Sequence, residues 1–458
     1  MNTSTPSKRR FGASILFVLL AACGGGSGGG GSSAGGGGGP PPVAGQCATG
    51  YPAGFTFVTG TDNASNLAQS ALGKPARGSI FQEPAFKTCV VRVTNHAADG
   101  LNTFARQDYS RRQAFNADSS MVLIYALDGS WHVYNATTFA RVKQLNGPAG
   151  DSEPQWHPTD PDKLYYLPTN GIGMEIRELT VSSNTSIVLG DLGPLLKARW
   201  PTAAAAWTKS EGSPSADGRY WCLKVDRVTN NNDFISLGFV TWDRDTKQII
   251  GYYDTNGNQP DHVSMSPSGR HCVVSWNDGV VSFARDFSQS RPLNVLGEHS
   301  DIALATNGDD LYVSVDYQST NGAVYMINLE NGNRTDLFPT YLNDGATALH
   351  ISGKAFRKPG WVVVSTYAEY NNNPAVTARE WLHAKVMAVE LKANPKVYHL
   401  AHHRAVDDND PTFGSYFSEP QASVNRDFTK VIYNSNWGIG TGMDIEAYMV
   451  ELPLGLIP

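Results

Sequence analysis

Short apolar runs, each preceded by turn-forming residues, recur along most of the chain. The clearest are Met121–Tyr125, Lys163–Leu167, Arg219–Leu223, His271–Ser275, Leu311–Val315, Trp361–Ser365 and Lys430–Asn434. They are rich in β-branched and aromatic residues and too short for amphipathic helices, so they read as strands. Asp217-Gly218, Ser268-Gly269, Asn307-Gly308 and Pro359-Gly360 stand before four of them and supply the positive φ of tight turns. Further strands follow each run, as at Val133–Asn135, Val240–Asp243 and Val324–Asn328. The runs advance by roughly 50 residues, near the period of propeller blades. Four short antiparallel strands repeated seven times predict an all-β chain folded as a seven-bladed β-propeller over residues 88–453. The last repeat ends at Ala447–Glu451 without an outer strand, and a spare strand, Cys89–Thr94, precedes the first. The expected closure has this N-terminal strand completing the seventh blade, which hides two exposed edges.

Aligning the innermost strands on their turns places one titratable residue at the start of each. The positions are Arg112, Glu153, Glu211, His262, Asp301, His350 and Glu419. Two residues on, the side chains are small or polar, and those between are mostly apolar, as at Phe115, Trp156, Val263, Ile302 and Ile351. This period of two predicts one face packed between blades and the other turned to the axis, with the titratable ring at the channel mouth. His262, Asp301 and His350 come from consecutive repeats, and two imidazoles with a carboxylate suit a divalent metal such as Zn, Mn or Fe. The alternative is a set of solvated charges lining a channel. His157, deeper in its strand, is expected to pack within the channel.

The loops expected on that face are long and aromatic. Residues 195–210 carry Arg199, Trp200, Trp207 and Lys209; residues 367–383 carry Tyr370, Arg379, Trp381 and His383. Residues 404–418, after His402 and His403, carry Asp407, Asp408, Asp410 and Tyr416. Indole and phenol faces stack on sugar rings, and a guanidinium grips a carboxylate through two bonds. The expected ligand is therefore a polar or anionic glycan, with Arg112, Trp200, Arg379 and Trp381 as binding residues.

Composition narrows the classes. The chain has 458 residues, 36 Lys+Arg against 42 Asp+Glu, a net charge of −6 and 10% aromatics. That excludes a largely disordered chain and a nucleic-acid binder driven by bulk charge. At the N-terminus, Lys8-Arg9-Arg10 precedes an apolar run, Phe11–Ala22, too short to span a bilayer. It ends in Leu20-Ala21-Ala22-Cys23, which resembles the bacterial lipobox. The resemblance implies lipidation at Cys23, and Gly24 in place of Asp implies the outer membrane; an ordinary secretory signal is the alternative. The expected division is a signal peptide over residues 1–23, a Gly/Ser/Pro-rich tether over 24–46 and a propeller domain over 47–458. The expected location is the cell envelope, periplasmic or surface-exposed, with the membrane touched only through the lipid. With Cys23 set aside, four cysteines remain for an oxidising compartment. Cys47 is expected to pair with Cys89, while Cys222 and Cys272 read as buried small hydrophobes.

The seven-repeat layout and the Ser-Glu-Pro-Gln segments at 152–155 and 418–421 resemble two bacterial groups: TolB-like propellers and propeller-type polysaccharide lyases acting on oligogalacturonate or ulvan. The lyase resemblance implies β-elimination at a uronate. Arg199 or the metal then grips the carboxylate, and Tyr370, Tyr416 or His402 takes the proton. Two other classes stay open: a non-catalytic envelope propeller binding a glycan or protein, and a metal-dependent hydrolase or lactonase.

Overall fold

Antiparallel strand pairs supply nearly all the regular structure. The computed structural model describes residues 39–342, 345–367, 380–407, 416–440 and 442–458. Cys23, Tyr370, Arg379, Asp408 and Asp410 lie outside the described residues. Among the described residues no helix is long and apolar enough to cross a membrane.

Five four-stranded sheets follow one another along the chain. The first contains Gln155–Trp156, Lys163–Tyr166, Glu175–Thr180 and Thr185–Asp191. The second contains Ala205–Trp207, Tyr220–Val228, Phe234–Asp243 and Gln248–Asp254. The third runs His262–Met265, His271–Trp276, Gly279–Ala284 and Ser290–Asn294. The fourth runs Ser300–Leu304, Asp310–Asp316, Ala323–Asn328 and Arg334–Phe338; the fifth, Leu349–Ser352, Trp361–Thr366, Lys385–Glu390 and Val397–His402. In each, every strand pairs with its neighbour in sequence, which makes a propeller-like all-β fold. The turns fall where the sequence placed them. Gly269, for example, has φ +73°, and a side chain there would run into the Tyr220 ring.

Apart from a two-stranded ribbon, Tyr341–Leu342 with Gly345–Ala346, the remaining strands join the N-terminal segment of the domain to its C-terminal one. Ser423–Val424, Lys430–Ser435 and Ile445–Glu451 pair in order, and Cys89–Arg92 lies antiparallel to Ile445–Glu451, with Cys89 opposite Glu451. Ile80–Gln82 adds outside it. Phe104–Arg106 pairs parallel to Ile445–Glu451 and antiparallel to Met121–Ala126, which leads on to Ser130–Asn135 and Arg141–Ala149. All four residues of Cys89–Arg92 are buried, and Arg92 meets Glu446 at 2.6 Å in its interior. Cys47 and Cys89 form a disulfide with Cα atoms 5.5 Å apart. Residues 40–46, expected as the end of a tether, bond to the domain: Gln82 N donates to Val43 O at 3.0 Å, and Gly73 N to Pro40 O at 2.9 Å.

The core lies between successive sheets. Trp221, Leu223 and Trp242 of the second sheet bury against Tyr165 and Ile176 of the first. Full burial of such side chains is worth about 1.5–3 kcal/mol each. Cys222 and Cys272 correct the sequence reading: they form a disulfide across the second and third sheets, Cα–Cα 5.7 Å. Their strands occupy the same place in adjacent sheets, so a residue facing the inter-sheet core on one meets its counterpart on the other.

Candidate active site

Period-two alternation turns one side of each inner strand away from the sheet core, and there the polar side chains converge. Two linked groups result. Arg111 is the centre of the first. It is 4% exposed, ion-paired to Glu211 at 2.9 Å, in contact with His262 Nε2 and donates to Ser300 Oγ at 3.4 Å. The other ring nitrogen, His262 Nδ1, faces Asp261 at 3.3 Å and Glu211 at 3.6 Å, and Lys209 meets Asp261 at 2.9 Å. Burial opposes the charge of Arg111, but Glu211, Tyr109 and Asp301 outweigh it and hold the guanidinium firmly protonated.

The second group centres on His350 and Glu419. His350 Nε2 lies 2.8 Å from Glu419 Oε2. The imidazole stacks on His299 at 4.4 Å and on Tyr367 at 4.9 Å, with Tyr109 edge-on at 5.4 Å. Its Nδ1 is buried and has no hydrogen-bond partner among the described residues. Burial, then Arg111 and Arg106, push His350 down to about 3; burial pushes Glu419 up to about 7. Near neutral pH the pair therefore holds a neutral imidazole against a carboxyl close to half-protonated. Arg106 donates to Gln421 Oε1 at 2.7 Å and lies 5.8 Å from the centre of the Tyr416 ring. Burial raises Tyr416, so its phenol keeps its proton.

The residues expected from sequence are distributed unevenly around this cluster. His262, His350 and Tyr416 belong to it. Asp301 is tied elsewhere, accepting from Lys354 Nζ at 2.9 Å and Gly353 N at 2.7 Å, so the expected trio of His262, Asp301 and His350 is not one ligand set. Arg112 pairs with Asp108 at 2.5 Å, donates to Ser210 O and covers the Trp131 ring. Arg199 and Trp200 both bond Asp254 on the outermost strand of the second sheet, because the short helix Gly193–Arg199 leads the chain past that edge. Trp381 is 2% exposed and packs edge-on against Phe338, between sheets. His402 ends the outermost strand of the fifth sheet, against Glu83 at 3.1 Å and stacked on Phe86. His157 serves a turn instead of the interior, its Nδ1 accepting from Asp160 N at 2.8 Å.

Sequence reasoning missed Arg111, Arg106, Tyr109 and His299. Arg111 and Arg112 are adjacent, and a one-residue slip in the assumed register exchanges which of them faces inward. A metal fits a different set from the one expected. Glu211, Asp261 and His262 offer ligand atoms within 4.8 Å of one another. One imidazole and two carboxylates suit a hard or borderline divalent ion, with Arg111 and Lys209 as the competing cations.

No family model matches the chain, and neither does any curated protein. Solved structures do. An oligogalacturonate lyase from Vibrio parahaemolyticus is similar over 82% of this chain and 96% of its own, at 14% identity and TM-score 0.56. An oligogalacturonate lyase in complex with manganese is similar over 83% of this chain and 97% of its own, also at 14% identity and TM-score 0.56. At such identity the likeness is one of fold: this chain is built like a propeller-type lyase.

Proposed function

We propose that the protein is an exported polysaccharide lyase that performs β-elimination at a uronate residue of an anionic glycan. The observation that carries this reading is a guanidinium and a proton-holding pair, Arg111 and His350–Glu419, within one buried cluster. β-Elimination needs both, because the proton α to a carboxylate is weakly acidic until the carboxylate is neutralised. Arg111 grips the uronate carboxylate. The His350–Glu419 pair accepts the α-proton, with the neutral imidazole as base and Glu419 sharing the charge it gains. The C–H electron pair becomes the C=C bond as the C–O bond to the leaving sugar breaks. Tyr416, kept protonated by burial, supplies a proton to the departing oxygen. A divalent metal, when bound by Glu211, Asp261 and His262, supplies further positive charge for the carboxylate.

The fold shared with two oligogalacturonate lyases supports the reaction class and makes galacturonate polymers the first substrate to try. In the same reading the sheets form a seven-bladed ring closed by Cys89–Arg92, and Cys23 carries a lipid that holds the domain at the outer membrane. The test is an absorbance assay for unsaturated products from a panel of uronate polymers, with and without manganese. Wild type is expected to release them, and Arg111→Ala and Glu419→Gln to lose at least a hundredfold in kcat/KM while keeping the fold. No product from any polymer, metal present, overturns the lyase reading and leaves a glycan-binding propeller. Metal content in wild type and His262→Ala tests the ion separately.

A further inference from the structure

Past the C-terminal ends of two inner strands, Leu349–Ser352 and Ser423–Val424, lies a second polar site. A narrow pocket there is lined by Gln113, Gln155, Ser213, Lys354, Phe356 and Arg426. Lys354 follows the inner strand Leu349–Ser352, and Arg426 follows Ser423–Val424. The two cations differ in one respect. Lys354 is neutralised by Asp301 at 2.9 Å. Arg426 is not: among the described residues no carboxylate pairs with it, although it is only 7% exposed. Its Nη1 donates to the Ala216 carbonyl at 3.2 Å, its Nε has no partner, and its guanidinium lies 5.4 Å from the centre of the Phe356 ring. The charge that acts on it is Arg357, of the same sign, whose side chain is exposed and whose backbone N–H donates to Arg426 O at 2.7 Å.

A buried guanidinium without a counter-charge is strongly unfavourable, and one facing a second guanidinium more so. Burial, then Arg357, push Arg426 down to about 10, still well above neutral pH, so the charge persists and calls for an anion. An unpartnered guanidinium nitrogen, a neutralised lysine and the Phe356 ring suit an oxygen anion better than a hydrophobic ligand.

We propose that Arg426 binds a small oxyanion, such as phosphate, sulfate or a free sugar carboxylate, through one oxygen edge in this narrow pocket, a site separate from the His350–Glu419 pair. The test is the melting temperature of the purified protein in inorganic phosphate, sodium sulfate or free galacturonate, at fixed ionic strength and pH. Specific binding gives a saturable rise of about 3 °C once the anion reaches roughly a hundred times its Kd. Arg426→Gln is expected to lose the rise, and Arg426→Lys to keep part of it. Sulfate and phosphate also stabilise proteins by exclusion from the surface, but that rise is linear in concentration and survives in both variants. A wild-type melting temperature with no saturable response to any of the three anions overturns the proposal, whatever the variants do. A saturable response unchanged in Arg426→Gln also overturns it, because the anion then binds elsewhere.

Discussion

Acidification from pH 7 to pH 5 is expected to destabilise the fold, chiefly through five histidines held neutral by burial and against the opposing carboxyl of Glu419. Burial, the largest cause in each case, holds His132, His299, His399 and His402 down to about 4 and His350 to about 3. In the unfolded chain each returns to about 6.5. A folded pKa below the unfolded one means that the unfolded state binds more protons as the pH falls. The stability is therefore present above 6.5 and is lost as the pH drops toward the folded value. Each histidine gives up about 2 kcal/mol between pH 7 and pH 5, or ~9 kcal/mol for the five. Glu419 runs the other way. Its folded pKa of about 7 lies above the unfolded value, so the folded state gains the proton first. It returns about 2 kcal/mol over the same interval, leaving a net loss of about 7 kcal/mol. For a chain of this size that is a fall in melting temperature of roughly 8 °C. Calorimetry at half-unit pH steps and constant ionic strength measures it directly. Glu419→Gln removes the opposing contribution and deepens the fall by about 2–3 °C. A melting temperature that stays flat or rises from pH 7 to pH 5, or a shallower fall in the variant, refutes the assignment of these groups as buried and neutral.

Three further expectations concern stability. Replacing Cys47 and Cys89 by serine opens a loop with a sequence separation of 42, and chain entropy puts the loss at about 4 kcal/mol in a denaturant titration. Gly190→Ala is expected to lose about 1–3 kcal/mol by overpacking, since the new Cβ would stand 2.6 Å from the rigid Trp242 ring; unchanged stability would show that the ring has room to move. Asp301→Asn leaves Lys354 charged and unpaired in the interior, at a loss of about 3–5 kcal/mol. Its metal content should match wild type, and loss of bound metal would instead restore Asp301 to the ligand set.

The strands and their turns were legible in the sequence because both signals are local. Gly218, Gly269, Gly308 and Gly360 all take positive φ at the turns expected of them. Period-two alternation also led to His262, His350 and Glu419, since it needs only the neighbouring residues. It failed at Arg111 and Arg112, where a short, irregular inner segment sets the facing and one step reverses it. Aromatic side chains in loops misled for a different reason. Trp200 and Trp381 read from sequence as ligand contacts, but large rings in loops are equally suited to filling the space between sheets, and both are buried. The pairing of His350 with Glu419 spans 69 residues, and that of His402 with Glu83 spans 319. No pattern within either segment announces such partners; only the succession of sheets brings them together.

The bond between Cys47 and Cys89 also decides how the molecule answers a mechanical load. A pull on the residues before Cys47 passes through the sulfur bridge straight to Cys89, the first residue of a strand paired antiparallel with Ile445–Glu451. The load then runs along that strand, and its ladder hydrogen bonds resist together instead of parting one after another. Residues 48–88 carry none of it, including Phe57 on Tyr398 and the strand Ile80–Gln82. Once the bridge is reduced, the same pull first peels that segment from the sheet edges. It releases roughly 140 Å of chain before the strand is strained at all. Oxidised, the N-terminal arm is a short, stiff strap; reduced, it is a long, extensible one.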